Sequence, residues 1–313
     1  MSKYGIDPEL VPALAQRPAL DRTDPLAARR AVAERTAVVA PYIPPIPLLI
    51  EDLRVPGPPR ESDVPVRIFR PRDADDPLPL VLWIHGGGFT LGSIDLDANA
   101  AAQIAAECQA IVVSVEYRLA PENPYPAAVE DCFAALCWLS AHAAQFGGDN
   151  TRLAVSGESA GGGLAAAICL LSRDRSGPRI MHQFLFIPEL DDRLDTPSML
   201  AYTDTPVWHR KNAILSWSQY LGDLMGTEGV PIYAAPARAK DHSRLPNAYI
   251  VVCEFDPLRD EGIDYAMALM RAGTSVELHL YPGTFHGSVH DTTAAVSRRM
   301  IADKIGSFRR ILA

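Results

Sequence analysis

Val155–Leu171 reads VSGESAGGGLAAAICLL. An apolar run gives way here to a helix-like pattern, and one hydroxyl, that of Ser159, sits among glycines and alanines at the changeover. Gly157-Glu158-Ser159-Ala160-Gly161 fits the pattern G-x-S-x-G, directly after a predicted strand and at the opening of a predicted helix, which is the setting of a nucleophile elbow. A serine on such a turn takes a strained backbone, so its neighbours must be small. The turn lifts the hydroxyl above the sheet, and the positive end of the helix points at it. The plain alternative is a Gly/Ala-rich helix packed closely on a strand.

A second stretch decides against that alternative. WIHGGGFTLG, Trp83 to Gly92, follows another predicted central strand, and its three successive glycines let backbone N–H groups face a cavity with no side chain in the way. Acyl transfer needs such donors, because its tetrahedral intermediate concentrates negative charge on one oxygen. The serine also needs a base and an acid that orients the base. His286, in YPGTFHGSVH, stands just past the last predicted strand in a glycine-flanked loop, and His290 is its competitor. The pair could also suggest a metal site, but no third ligand of suitable spacing accompanies them, so none is expected. His279 and His182 lie inside strands, and His85 precedes the glycines, where it shapes the loop. For the acid, CEFDPLRDEG places Asp256 directly after the penultimate strand; Asp191 and Asp192 are the second choice, and Asp260 and Glu261 are expected to turn away on the next helix. A helix cap is the bland reading of Asp256.

Around these stretches, strands and helices alternate from Leu48 onward. LLIEDLRV and VPVRIFRP alternate apolar with polar residues, as half-exposed outer strands do, whereas LPLVLWIHGG and AIVVSVEYR are continuously apolar, as central parallel strands are. TRLAVSGES, MHQFLFIPEL, AYIVVCEF and SVELHLYP supply four more strands. Helices are predicted over 96–108, 126–144, from Ser159, over 259–272 and over 291–312. The pattern predicts an α/β fold with a mostly parallel central sheet covered on both faces. Between Pro188 and Ala237 no clean strand appears, and VWHRKNAILSWSQYL has the look of an amphipathic helix. This insertion (188–237) and the Pro-, Ala- and Arg-rich N-terminal segment (1–45), with a helical piece over 25–38, are expected to form a lid over the ligand-binding edge of the sheet. Residues 46–187 and 238–313 would then form the catalytic domain.

The bulk numbers fit an enzyme of this kind. The chain has 313 residues, 48% apolar and 21% charged, with a net charge of 29 − 38 = −9, so neither nucleic acid nor anionic lipid is an expected partner. Five cysteines without CxxC pairs read as reduced thiols. No apolar core follows a basic start at the N-terminus, and no stretch approaches about 20 apolar residues, so a secretory signal and a spanning helix are not expected. Cytoplasm is the default location.

Taken together, the marked stretches resemble the bacterial hormone-sensitive-lipase family (family IV) of α/β-hydrolases, from about Leu80 to the C-terminus. They are His85-Gly86-Gly87-Gly88-Phe89, YRLAPENPYPAAVED from Tyr117, the Ser159 pentapeptide with Gly162, DPLRDEG from Asp256, and His286 before Gly287. The commoner family elbow has Asp where this chain has Glu158, and Phe often follows the glycine after the histidine where this chain has Ser288. The resemblance implies an α/β-hydrolase fold with a helical lid. It also implies Ser159 as nucleophile, His286 as base and then acid, and Asp256 as the residue that holds the imidazole. Oxyanion donors would be the N–H groups of Ala160 and of two among Gly86, Gly87 and Gly88. The implied enzyme is a carboxylesterase with no cofactor, in a family where many members form homodimers through the last strand and nearby helix. A small-molecule ester of short acyl chain is the expected substrate, with Phe89, Leu91, Leu190, Tyr202 and Trp208 as candidate pocket walls or, more plainly, lid core. An amidase or peptidase with the same triad, or a small-molecule receptor on the scaffold, are the rival readings.

Overall fold

Leu82 and Val81 belong to two different cores, and that alternation organises the molecule. Successive side chains of a strand point to opposite faces, so Leu80, Leu82 and Ile84 pack into one apolar layer while Val81 and Trp83 pack into the other. The computed structural model describes residues 3–17, 20–74 and 77–313; Met1, Ser2, Pro18 and Ala19 of the expected lid lie outside them.

Eight strands form one sheet: β1 (Leu48–Val55), β2 (Val64–Pro71), β3 (Leu78–Ile84), β4 (Ile111–Val115), β5 (Gly148–Glu158), β6 (His182–Phe186), β7 (Asn247–Phe255) and β8 (Val276–Phe285). Their order is β1-β2-β4-β3-β5-β6-β7-β8, with β2 antiparallel to both neighbours and every other pairing parallel. The two alternating sequences are the outer pair, and the continuously apolar ones are central, because a strand roofed on both faces has no wet side to mark.

Nine α-helices accompany the sheet among the described residues: α1 (Val11–Gln16), α2 (Pro25–Ala37), α3 (Ala98–Cys108), α4 (Ala127–His142), α5 (Ala160–Asp174), α6 (Pro197–Ala201), α7 (Arg210–Leu221), α8 (Arg259–Arg271) and α9 (Ala295–Leu312). Residues of α4, α5 and α8 fill one layer, and those of α3 and α9 fill the other.

Two helix starts differ from the sequence expectation by more than two residues. Asp291 accepts from the N–H and hydroxyl of Thr293, a local turn that competes with helix, so α9 begins at Ala295 rather than Asp291. In VWHRKNAILSWSQYL, Val207 takes φ +66° and the Trp208 carbonyl accepts from the Thr205 hydroxyl at 2.6 Å, so α7 begins at Arg210. That tight turn, not a helix, carries Trp208.

The N-terminal segment is stitched to the rest. Ile6 and Leu10 pack against Phe285 and Ala294, and the Asp7 N–H donates to the Gly283 carbonyl at 2.9 Å. Asp24 caps α2, and Arg29 on that helix donates to the carbonyls of Thr90 and Ala120 and pairs with Glu122.

Candidate active site

The residues singled out as serine, base and acid come from three strand ends, those of β5, β7 and β8. Ser159 sits between β5 and α5 with φ 56° and ψ −121°, a backbone that L residues adopt only under constraint. The constraint is visible. Its N–H donates to the Phe186 carbonyl at 2.8 Å, while its carbonyl accepts from Gly163 and Glu189, each at 3.0 Å. The small neighbours are obligatory: a Cβ on Gly161 would stand 2.1 Å from the Ile84 carbonyl oxygen.

His286 follows β8 and lies with Nε2 2.9 Å from Ser159 Oγ. Its Nδ1 is 2.7 Å from Asp256 Oδ2, and a carboxylate there can only accept, so Nδ1 carries the hydrogen and Nε2 is free to accept from the serine. Asp256 follows β7; its second oxygen accepts from the Leu258 N–H at 2.9 Å, which fixes the carboxylate plane. All three side chains are buried. Asp256 thus does both things the sequence allowed, bonding the histidine and capping the turn into α8.

The other candidates sort themselves by geometry. His290 is half-exposed and bonds Glu158 at 2.7 Å, not Ser159. Burial would raise the Glu158 carboxyl, but the imidazole of His290 opposite it, with Lys304, brings it down to about 2. Asp191 and Asp192, the second choice for the acid, are engaged with Arg193 and Arg238. Asp260 and Glu261 do turn from the serine, but they are not idle. Asp260 accepts from the Ser198 N–H at 2.7 Å, and fully buried Glu261 accepts from the Leu190 N–H at 2.6 Å. They bind the insertion to α8, a long-range role that sequence spacing did not reveal.

The glycine loop after β3 passes directly over the elbow. A Cβ on Gly86 would come 3.4 Å from Ser159 Cβ, and Gly87 holds φ +131° with the Leu91 carbonyl oxygen 2.1 Å from where a Cβ would be. The Leu91 N–H closes the loop on the Gly87 carbonyl at 3.1 Å. His85 stacks on Tyr117 at 4.2 Å and donates from Nδ1 to the Gly86 carbonyl at 2.8 Å. Burial pulls its imidazole down to about 4, which keeps it neutral. Ala160 opens α5 beside the loop, where its N–H is one of the unpaired donors of a helix start.

Of the candidate pocket walls, Trp208 stacks its ring on His286 at 5.5 Å and covers Gly88. Phe89 instead stacks on Tyr220 of α7 at 4.0 Å and Leu190 is fully buried in the same core layer, so both anchor the insertion. Leu91 shapes the glycine loop. Tyr202 contacts Tyr4, Phe255 and Arg259, joining the N-terminal segment to the end of β7. Sequence reasoning missed Arg22, whose guanidinium lies 4.8 Å over the Trp208 ring, and Glu189, buried beside the elbow.

The model of a family described as having the alpha/beta hydrolase fold matches residues 81–290. The chain belongs to the hormone-sensitive-lipase-like, family IV α/β-hydrolases. Within that family it is 44% identical to carboxylesterase NlhH of Mycobacterium tuberculosis over 73% of this chain and 72% of that protein. It is 40% identical to esterase LipI of the same organism over 82% of each. A solved structure titled bacterial heroin esterase superposes with a TM-score of 0.94 at 46% identity, covering 99% of this chain and 98% of that one. This family IV protein is a serine esterase, and its substrates are small-molecule esters. Among the described residues no helix is long and apolar enough to cross a membrane, and no group of three or more metal-ligating side chains is present.

Proposed function

We propose that Ser159 is the nucleophile, His286 the general base and then acid, and Asp256 the residue holding the imidazole, in hydrolysis of short-chain acyl or aryl esters. The two-step relay, 2.9 Å from serine to imidazole and 2.7 Å from imidazole to carboxylate, is the observation that carries this reading. Ser159 Oγ attacks the ester carbonyl carbon as Nε2 takes its proton. The negative charge that collects on the carbonyl oxygen meets the N–H groups of Ala160 and two among Gly86, Gly87 and Gly88. The C–O bond to the alcohol breaks, and the alcohol leaves with the proton from Nε2. Water then repeats the attack on the acyl-serine, giving the acid and free Ser159.

Segments 3–17 and 20–45 with 188–237 act as the lid, an assignment supported by Trp208 stacking on His286 and by Arg22 lying over Trp208. The buried aromatic cover favours short acyl chains. Five free thiols favour a reducing compartment, the cytoplasm. The outer edge of β8, where Leu280 is exposed, is the surface for a homodimer.

The test is turnover of 4-nitrophenyl acetate through octanoate by the wild type and Ser159→Ala, with a 4-nitroanilide of the same acyl group alongside. The reading expects activity highest at two to four carbons and a loss in Ser159→Ala of about 10⁴–10⁶-fold in kcat. Unchanged turnover in the variant sinks the nucleophile assignment, and equal use of the anilide sinks the esterase preference.

A further inference from the structure

Glu189 is the least explained side chain beside the elbow. Its backbone N–H donates to the Ser159 carbonyl at 3.0 Å, which fixes it one residue's width from the nucleophile. The side chain is fully buried, yet no protein group hydrogen-bonds either carboxyl oxygen. Ser216 lies near enough to favour the charged form, but its hydroxyl donates to the Gly88 carbonyl at 3.0 Å rather than to the carboxyl. Gly88 in turn lies under Trp208, whose ring stacks on His286. Glu189 is thus linked to the oxyanion loop and to His286 through Ser216, Gly88 and Trp208.

Arg22 faces it. The guanidinium covers Trp208, its charge acts on Glu189, and its buried Nη1 also has no protein partner. No ion pair joins the two, although an arginine and a carboxylate in contact would normally form one. Opposite groups held apart, each with unused hydrogen-bonding capacity, suit a ligand group that both donates and accepts. Buried polar atoms are rarely left unpaired in native proteins without a functional reason.

Resting on the triad reading above, we propose that Glu189 and Arg22 form a polar subsite for a hydroxyl group carried by the ester substrate. A hydroxyl gives its hydrogen to Glu189 and accepts from Arg22. An ammonium would meet the guanidinium's like charge, and a carboxylate, which only accepts, would leave the carbonyl oxygen of Glu189 without a donor. Burial pushes Glu189 up to about 8, so near neutral pH it stands mainly as the uncharged acid, which again matches a neutral partner. A site built around a substrate hydroxyl discriminates strongly against the analogue lacking it, because the site's own polar groups are then left unpaired.

Two pairs of esters of matched size separate the acyl side from the alcohol side: ethyl 3-hydroxybutyrate against ethyl 3-methylbutyrate, and 2-hydroxyethyl butyrate against propyl butyrate. The readout is the ratio of kcat/KM within each pair, measured for wild type, Glu189→Leu and Arg22→Met. In one pair the wild type should prefer the hydroxyl-bearing member about 10–100-fold. That ratio should fall towards one in each variant. Because Glu189→Leu removes a buried carboxyl that bonds nothing in the free protein, its Tm should rise by about 2–4 °C, whereas loss of a structural contact would lower it. Arg22→Met keeps the kinetic arm available if Glu189→Leu does not fold. Absence of a hydroxyl preference in both pairs, or a preference that survives either substitution, overturns the subsite. Wild-type turnover of propyl butyrate reports on the triad reading separately.

Discussion

Below the cleft, the side chains proposed to react are held by backbone that the sheet itself fixes. Ser159, Asp256 and His286 follow β5, β7 and β8, and each is locked by hydrogen bonds to a neighbouring strand end or turn. Above the cleft, Trp208 and Arg22 come from segments tied down by individual side chains, such as Arg29 to Glu122 and Glu261 to the Leu190 N–H. In the proposed reading, chemistry belongs to the first region and fit to the second. Substitutions below should therefore abolish kcat, while substitutions above should redistribute KM and substrate preference.

The largest expected effect lies below. Asp256→Asn keeps the shape but favours the wrong imidazole tautomer, and kcat should drop by about 10⁴-fold with little change in KM; steady-state kinetics with a single 4-nitrophenyl ester checks it. A small loss would show that Asp256 serves mainly as the cap of its turn. Next, Gly87→Ala puts a methyl group where the Leu91 carbonyl oxygen stands and penalises the positive φ. The loop must shift, and kcat should fall by about 10²–10³-fold, as for loss of one oxyanion donor.

Acid should weaken the support of that loop. His85 has its imidazole pulled down to about 4 by burial, so the unfolded chain binds a proton there at pH values where the folded chain does not. The sign follows: its contribution is fully present above about 6.5, the ordinary histidine value, and is lost as pH falls towards 4. The loss should be on the order of 3 kcal/mol, read by urea unfolding at a series of pH values. In His85→Gln the slope across that window should flatten.

The smallest effect is expected above. Trp208→Ala removes the ring over His286 and Gly88, and kcat/KM for acetate and octanoate esters should converge, each changing by about tenfold as the wall is lost. A loss comparable to that of Asp256→Asn would erase the division between the two regions.

The same division explains how much could be read from the sequence. The lower region was legible because each feature is local: a serine between small residues at a strand-to-helix junction, three glycines after a strand, a histidine in the loop past the last strand. Strand positions followed from apolar continuity, and the outer pair from alternation. The sequence already favoured His286 with His290 as its competitor in the same loop, and of the two only His286 reaches Ser159. The upper region was legible only as a gap in the alternation. The meeting of Arg22, Glu189 and Trp208 joins residues far apart in the chain, and no periodicity encodes such a meeting. Tyr202 and Leu190 were reasonable wall candidates by composition, but their contacts are structural. Val207 to His209 also read as helix, because one hydroxyl-to-carbonyl bond and a positive φ at Val207 are invisible to an apolar pattern.

The central claim is that one buried hydroxyl, activated by His286, forms the covalent intermediate. Labelling with diisopropyl fluorophosphate followed by peptide mapping tests it most directly. One phosphoryl adduct per chain should appear on Ser159, in step with loss of esterase activity, and labelling should slow sharply in His286→Ala. An adduct on another residue, or full inactivation with Ser159 unmodified, would contradict it.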